Sequence, residues 1–173
     1  MELPVVNHHD YVAKINDDNK FPIKKFGALA KYLLKIGVVK KFYIPRECST
    51  ETLKTSHSLE YINHIRNKTL DIKLQKKIGF PINDSVVRRS FVATGGTVLA
   101  SKLALDSKLA CNTAGGSHHA SFNFGAGYCV FNDVAVAANY LKNKGYAKKI
   151  LILDLDVHQG NGNSEIFETI KMF

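Results

Sequence analysis

Apolar residues recur at helical spacing between Pro22 and Ile36, where Ile23, Phe26, Ala30, Leu33 and Leu34 share a face and Gly37 is placed to end the element. Val38–Ile44 reads as a strand. His57–Asn67 reads as a helix, and Ser85–Leu105 as a longer one with Phe91, Val92, Thr94, Val98, Leu99 and Leu103 as its apolar positions. Gly95 and Gly96 inside that helix each cost about 1 kcal/mol relative to Ala, so a close approach by another element is expected there. Leu109–Thr113 reads as a short strand entering a turn at Gly115-Gly116. Asn132 suits the N-cap of a helix carrying Val134, Ala137, Ala138 and Leu141 on one face, with Gly145 to close it. Ile150–Val157 lacks a clean alternation, which predicts a central parallel strand covered on both faces. A last helix is expected from Asn163-Ser164, with Ile166, Phe167 and Ile170 as its apolar residues. Strands alternating with helices predict an α/β fold with a mainly parallel sheet.

Composition adds a size and a compartment. The 173 residues are 45% apolar and 23% charged, which fits one ordinary globular domain able to build its own core. No repeat or low-complexity tract interrupts them, and Pro4, Pro22, Pro45 and Pro81 each fall at the edge of an expected element. No apolar run approaches the roughly 20 residues of a membrane span, and the N-terminus lacks the pattern of a secretory signal, so a cytoplasmic protein without membrane contact is expected. Cys48, Cys111 and Cys129 form an odd, unpatterned set, and Cys111 and Cys129 lie in apolar surroundings. Reduced, buried thiols are expected for them, with no disulfide framework.

The net charge of +9 raises the question of nucleic acid. Of 24 basic residues, however, only Arg46, Arg66, Arg88 and Arg89 are arginine, and bidentate phosphate or base recognition favours Arg. The lysines are scattered in pairs near element ends without aromatic interleaving. They read as solvated faces, and no specific nucleic-acid partner is expected.

The densest chemistry lies at 154–158. Asp154, Asp156 and His158 stand at i, i+2 and i+4, so on an extended chain they point to one side of the C-terminal end of a parallel strand, where open α/β sheets bind ligands. Two carboxylates there are costly unless a cation or a hydrogen-bonded partner compensates them. A divalent ion held by one Asp oxygen and one His nitrogen would do so, the other Asp then orienting a histidine. Taken by itself, the same run also describes a solvated strand end. Gly115-Gly116-Ser117-His118-His119 follows another strand and can bring two adjacent histidines to the same crevice. Asp and His donors beside histidine acid/base groups are the combination a metal-assisted hydrolase needs. His8, His9, His57 and His64 have no comparable context and are assigned capping, surface or packing roles.

Gly-Gly-Ser-His-His at 115–119, Gly-Tyr-Cys-Val-Phe-Asn-Asp at 127–133 and Asp-Leu-Asp-Val-His-Gln-Gly-Asn-Gly at 154–162 resemble three successive motifs of the zinc-dependent histone deacetylase superfamily. Supporting likeness occurs at Phe21-Pro22 with Lys25, at His57-Ser58 with Tyr61, at Ile78-Gly79-Phe80-Pro81, and at Arg89 followed by Thr94-Gly95-Gly96-Thr97. The Ile-Gly-Phe-Pro and His-Gln-Gly-Asn-Gly stretches are most similar to the class IV branch and its bacterial relatives.

The resemblance implies a three-layer α/β fold of the arginase/deacetylase kind, with residues 1–173 as the N-terminal portion of one such domain. It implies Zn(2+), or another divalent metal, on Asp156 and His158, and His118 and His119 acting on the attacking water and the departing amine. Asp154 matches the carboxylate that orients the first tandem histidine and lends its backbone to a K(+) site. Asn161 stands where many relatives place an Asp beside the second histidine. Gly127 and Tyr128 match the wall of a narrow tunnel for an acyl-lysine side chain.

The family's third zinc ligand and its transition-state Tyr lie beyond the His-Gln-Gly motif and have no counterpart here. A C-terminally truncated deacylase-type hydrolase of acyl-lysine or acyl-amine amides is therefore expected, with little or no activity as this polypeptide alone. Two other readings stay open: a non-catalytic remnant or split-gene fragment that pairs with a complementing C-terminal fragment or forms a homo-oligomer, and an arginase-like hydrolase of a small amide or polyamine.

Overall fold

The computed structural model describes residues 3–170, with side chains through Glu168. β1 (Val5–Val6) pairs in parallel with β2 (Cys111–Asn112), Val5 opposite Cys111 and Val6 opposite Asn112. On the other side of β1, Tyr43 forms a parallel bridge: its N–H donates to the Val5 carbonyl at 2.9 Å, and its carbonyl accepts from the Asn7 N–H at 3.1 Å. The rest of the expected Val38–Ile44 strand does not form. The chain turns at Gly37, and the Val39 N–H donates back to the Leu33 carbonyl, so the start of that segment belongs to the end of the preceding helix.

The helices follow their local signals. They are α1 (Lys25–Lys35), α2 (Thr50–Leu53), α3 (Leu59–Asn67), α4 (Ile72–Ile78), α5 (Asp84–Ser107), α6 (Asp133–Asn143) and α7 (Asn161–Ile170). Ser58 caps α3 by accepting from the Tyr61 N–H, Asn83 caps α5 through Val86, and Asn132 caps α6 through Ala135. Each side-chain oxygen satisfies a backbone donor that the first helical turn would otherwise leave open.

The long α5 is the spine of the molecule, packing on β1, β2 and α6. Gly95 and Gly96 allow this. A Cβ on Gly95 would overlap the Arg46 carbonyl, and one on Gly96 would overlap the Tyr11 hydroxyl. Phe91 and Val92 of α5 share one buried cluster with Tyr11, Leu53, Ile62 and Val136.

Two expectations fail here. Ile150–Val157 is not a covered central strand: it has no ladder partner among the described residues, and Leu151, Leu153, Leu155 and Val157 are 88, 75, 86 and 94% exposed. A central strand is made by neighbours on both edges and layers on both faces, and the described residues supply neither. Cys111 is exposed, whereas Cys48 and Cys129 are buried, and all three are free thiols. Strand alternation turns Asn112 toward α5, where it bonds Tyr11 and Thr97, and so turns Cys111 away from it. The last helix starts at Asn161, earlier than expected. Ile166 on it is buried and Phe167 half-buried, while the Ile170 side chain lies outside those described. No helix among the described residues is long and apolar enough to cross a membrane.

Candidate active site

β2 delivers the chain to Gly115 and Gly116, both left-handed, at φ 130° and 74°. The tight turn is clamped by Asp133 at the start of α6. Its carboxylate accepts from the Ser117 N–H at 2.8 Å, from the Gly116 N–H at 3.2 Å and from the Thr97 hydroxyl. A Cβ on Gly115 would stand 2.5 Å from that carboxylate, so glycine is required there.

His118 emerges from the turn and is 6% exposed. Its Nδ1–H donates to Asp154 at 2.6 Å, and its backbone carbonyl accepts from the Asn163 N–H of α7. The same bond holds the Asp154 carboxyl below the usual carboxylate range, the contact with His118 being the main cause. The His119 Nδ1–H donates to the Asn161 side-chain oxygen at 2.8 Å. The two rings are 4.2 Å apart, and the His158 ring is 5.9 Å from that of His119. With both Nδ1 atoms engaged as donors, each Nε2 is left with its lone pair.

Asp156 and His158 stand at the open side of this pair. The Asp156 Oδ1 accepts from the His158 backbone N–H at 2.8 Å and lies 2.9 Å from the His158 Nδ1. These contacts hold the Asp156 carboxyl low. A carboxylate oxygen and an imidazole nitrogen this close can close on one ion, and they are donors that zinc takes. The residues therefore fit the metal as two of its ligands. The His118 Nε2 is 4.0 Å from the same carboxylate oxygen.

A cavity of about 410 Å³ opens among His118, His119, Tyr128, Asp156, His158 and Arg89. Gly127 and Tyr128 form part of its wall, and both are left-handed, at φ 53° and 65°. Gly127 must lack a side chain, because a Cβ would come within 2.6 Å of the His119 ring. Tyr128 is kept in its uncommon conformation by its N–H bond to the Ile78 carbonyl and by the Phe21 and Phe80 rings, at 5.0 and 5.3 Å. Burial pushes the Cys129 thiol, also in the wall, up to about 11.

A buried support was not visible in the sequence. The His57 Nδ1–H donates to the Ser121 carbonyl at 2.9 Å, while its Nε2 accepts from the Asn132 N–H at 2.9 Å. Burial lowers its pKa to about 4, so it is neutral at pH 7. The Asn132 amide in turn donates to the Ala120 carbonyl and to Asn163. His57 thus ties the segment after the tandem histidines to the cap of α6. The likeness at His57-Ser58 pointed to the residue but assigned it no such contact. His8 caps the turn at His9–Tyr11, and His64 is half-buried, with its Nδ1 2.9 Å from the Thr69 hydroxyl. His8, His9 and Asp10 do lie together, but Asp10 is held by Arg88 at 2.6 Å and the His8 Nδ1 accepts from the Asp10 N–H.

The Histone deacetylase domain model matches residues 20–172. The chain belongs to this family. It is 44% identical over 170 residues to an uncharacterized protein of Picosynechococcus sp., covering 97% of this chain and 57% of that protein. It is 28% identical to the acetoin utilization protein AcuC of Staphylococcus aureus, over 89% of this chain and 42% of that one. Among solved structures, an HDAC homolog complexed with SAHA superposes with TM-score 0.81 at 28% identity, over 96% of this chain and 48% of that chain. The HDA15 HD domain shares the fold with TM-score 0.77 at 22% identity, over 96% and 50%. The chain thus spans about half the length of the family members it matches.

Proposed function

We propose that the cavity hydrolyses the amide of an acyl-lysine or a smaller acylated amine, with a divalent ion, Zn(2+) by the chemistry of its donors, on Asp156 and His158. The observation that carries this reading is the pair of histidines, each with Nδ1 tied to an oxygen and Nε2 left basic, beside a carboxylate–imidazole donor pair. When bound, the ion supplies polarisation of the acyl carbonyl and a lowered pKa for water.

The chain's own residues do the rest. Asp154 fixes the His118 tautomer and stabilises the ring once it gains a proton from the attacking water. His119 rests on an uncharged amide and stands 4.2 Å from His118, within reach of the departing nitrogen. The water oxygen bonds to the acyl carbon, the C–N bond breaks, and the proton taken by one imidazole returns from the pair to the amine. Gly127 and Tyr128 confine the acyl chain.

The test is acetate release from an acetyl-lysine peptide and from an acetylated diamine, with and without added Zn(2+), by this chain joined to the part of a full-length relative that it does not span. Metal-dependent release is expected, falling at least about 100-fold in His119→Ala. Absence of metal-dependent release from both substrates, or unchanged rates in both His118→Ala and His119→Ala, would overturn the reading. The ratio of the two rates separates protein substrates from small amines.

A further inference from the structure

The Asp133 carboxylate that clamps the tandem-histidine turn is itself held from behind. Thr97 of α5 donates its hydroxyl proton to it, and the Thr97 oxygen accepts from the Asn112 side-chain amide of β2 at 3.0 Å. The Asn112 side-chain oxygen accepts from the Tyr11 hydroxyl at 2.8 Å. Which end of Asn112 faces α5 is fixed, because the same amide nitrogen donates to the Ala93 carbonyl at 3.3 Å, and a carbonyl can only accept. With Asn112 donating to it, Thr97 has its one proton committed to Asp133. Every link thus runs the same way, from Tyr11 to Asn112 to Thr97 to Asp133, and bonds aligned in this manner polarise and strengthen one another in a low-dielectric interior.

Two glycines make room for the chain of bonds. A Cβ on Gly96 would stand 2.0 Å from the Tyr11 hydroxyl and 2.9 Å from the Asn112 amide nitrogen, and one on Gly115 would stand 2.8 Å from the Thr97 oxygen. Both ends are buried, Tyr11 being 0% and Asp133 1% exposed. Beyond Asp133 the Gly116 peptide is held on both sides: its N–H donates to the carboxylate at 3.2 Å, and its carbonyl accepts from the His118 N–H at 2.9 Å. A displaced carboxylate would therefore move His118 through a single peptide unit.

We infer that Tyr11, Asn112 and Thr97 are positioning residues for His118, which fix the Asp133 carboxylate and so set the turn from which His118 enters the cavity. None of the three lines that cavity, so their influence on it must pass through Asp133. The consequence for amide hydrolysis rests on the hydrolase reading above, but the positioning itself does not. Without the Thr97 proton, Asp133 keeps only the two backbone donors of the turn it is meant to hold, and carboxylate and turn can shift together.

The experiment reads the turn directly and needs neither turnover nor metal. ¹⁵N–¹H spectra of the whole chain follow the Gly116 and Ser117 amides and the His118 ring in Thr97→Val, Thr97→Ser and Tyr11→Phe, with the buried Val92 amide of α5 as the reference for overall stability. Thr97→Val removes the hydroxyl and keeps the branched shape. Amide exchange at Gly116 and Ser117 is expected to become about tenfold faster, as the loss of one hydrogen bond implies, with a displaced His118 ring signal. Thr97→Ser should restore both. Tyr11→Phe leaves Asp133 all its own donors and should move the same signals in the same direction by less.

Unmoved turn and His118 signals in Thr97→Val, no recovery in Thr97→Ser, or equal acceleration at Val92 would overturn the inference, since a general loosening of α5 speeds its core amides alike. A turn that does not respond to Tyr11→Phe would overturn it too, and that variant decides alone should Thr97→Val fail to fold. Signals that move as expected without acetate release in the assay above would sink the hydrolase reading only, whereas release with unmoved signals would sink only this one.

Discussion

His118 is held by α6 through Asp133, by α7 through Asn163 and by Asp154 from the chain before α7, and it is almost fully buried. Asp156 and His158, the other half of the candidate site, ride on a segment without a strand partner among the described residues, whose leucine side chains stand in solvent. Position in the first half is over-determined by satisfied hydrogen bonds. In the second it depends on contacts between nearby residues and on the one 2.6 Å bond from Asp154 to His118. A polar network can therefore fix a side chain at a turn, but an extended segment needs sheet neighbours before its own residues are equally constrained.

The comparison breaks most sharply at Gly162, where α7 meets the tandem-histidine loop. A Cβ there would overlap the Ala120 carbonyl and stand 2.6 Å from that of His118, and neither backbone atom can yield cheaply. Gly162→Ala is expected to cost about 4 kcal/mol in urea unfolding and to raise hydrogen exchange at His118 and Ala120.

Next is pH. His57 has a folded pKa of about 4, below its ordinary 6.5, so between those values the unfolded chain binds a proton that the folded one refuses. Stability is full above about pH 6.5 and falls on acidification until about pH 4, by roughly 3 kcal/mol in all. Urea midpoints measured from pH 7 to pH 4 would show this fall, and a flat profile would contradict the buried neutral assignment.

A smaller effect is expected from Asp154→Asn, which removes the charge but not the shape of the His118 partner. The ¹⁵N signature of His118 should move from one tautomer to a mixture, with little loss of helix content. Smallest is the pair Leu153→Lys with Leu155→Lys. Both sites are exposed, so stability should change by less than about 0.5 kcal/mol while solubility rises. A large loss of stability would mean that the leucine row packs against something in solution.

α1, α3, α5, α6 and α7 were legible because periodicity is local, whereas the short α2 and α4 were not predicted. Asn132 marks a helix start by the side chain alone, and Gly95-Gly96 announced a close approach that Arg46 and Tyr11 supply. The one-sidedness of Asp154, Asp156 and His158 was legible for the same reason. Burial of 150–157 and of Cys111 was not, because an apolar residue is buried only if another element covers it. Nor did the sequence show that His57 carries two backbone groups or that Arg89 has no ion-pair partner among the described residues, since each depends on residues far away in the chain.

By itself the sequence determined the five longer helical segments, the family and the donors available for chemistry, all of which are properties of residue type and short-range spacing. Only the tertiary structure decided which of those donors meet. Asp154 and His118 are separated by 36 residues, His119 and Asn161 by 42, and His57 and Asn132 by 75. Their hydrogen bonds exist because α5, α6 and α7 pack in one way, and no local preference contains that information.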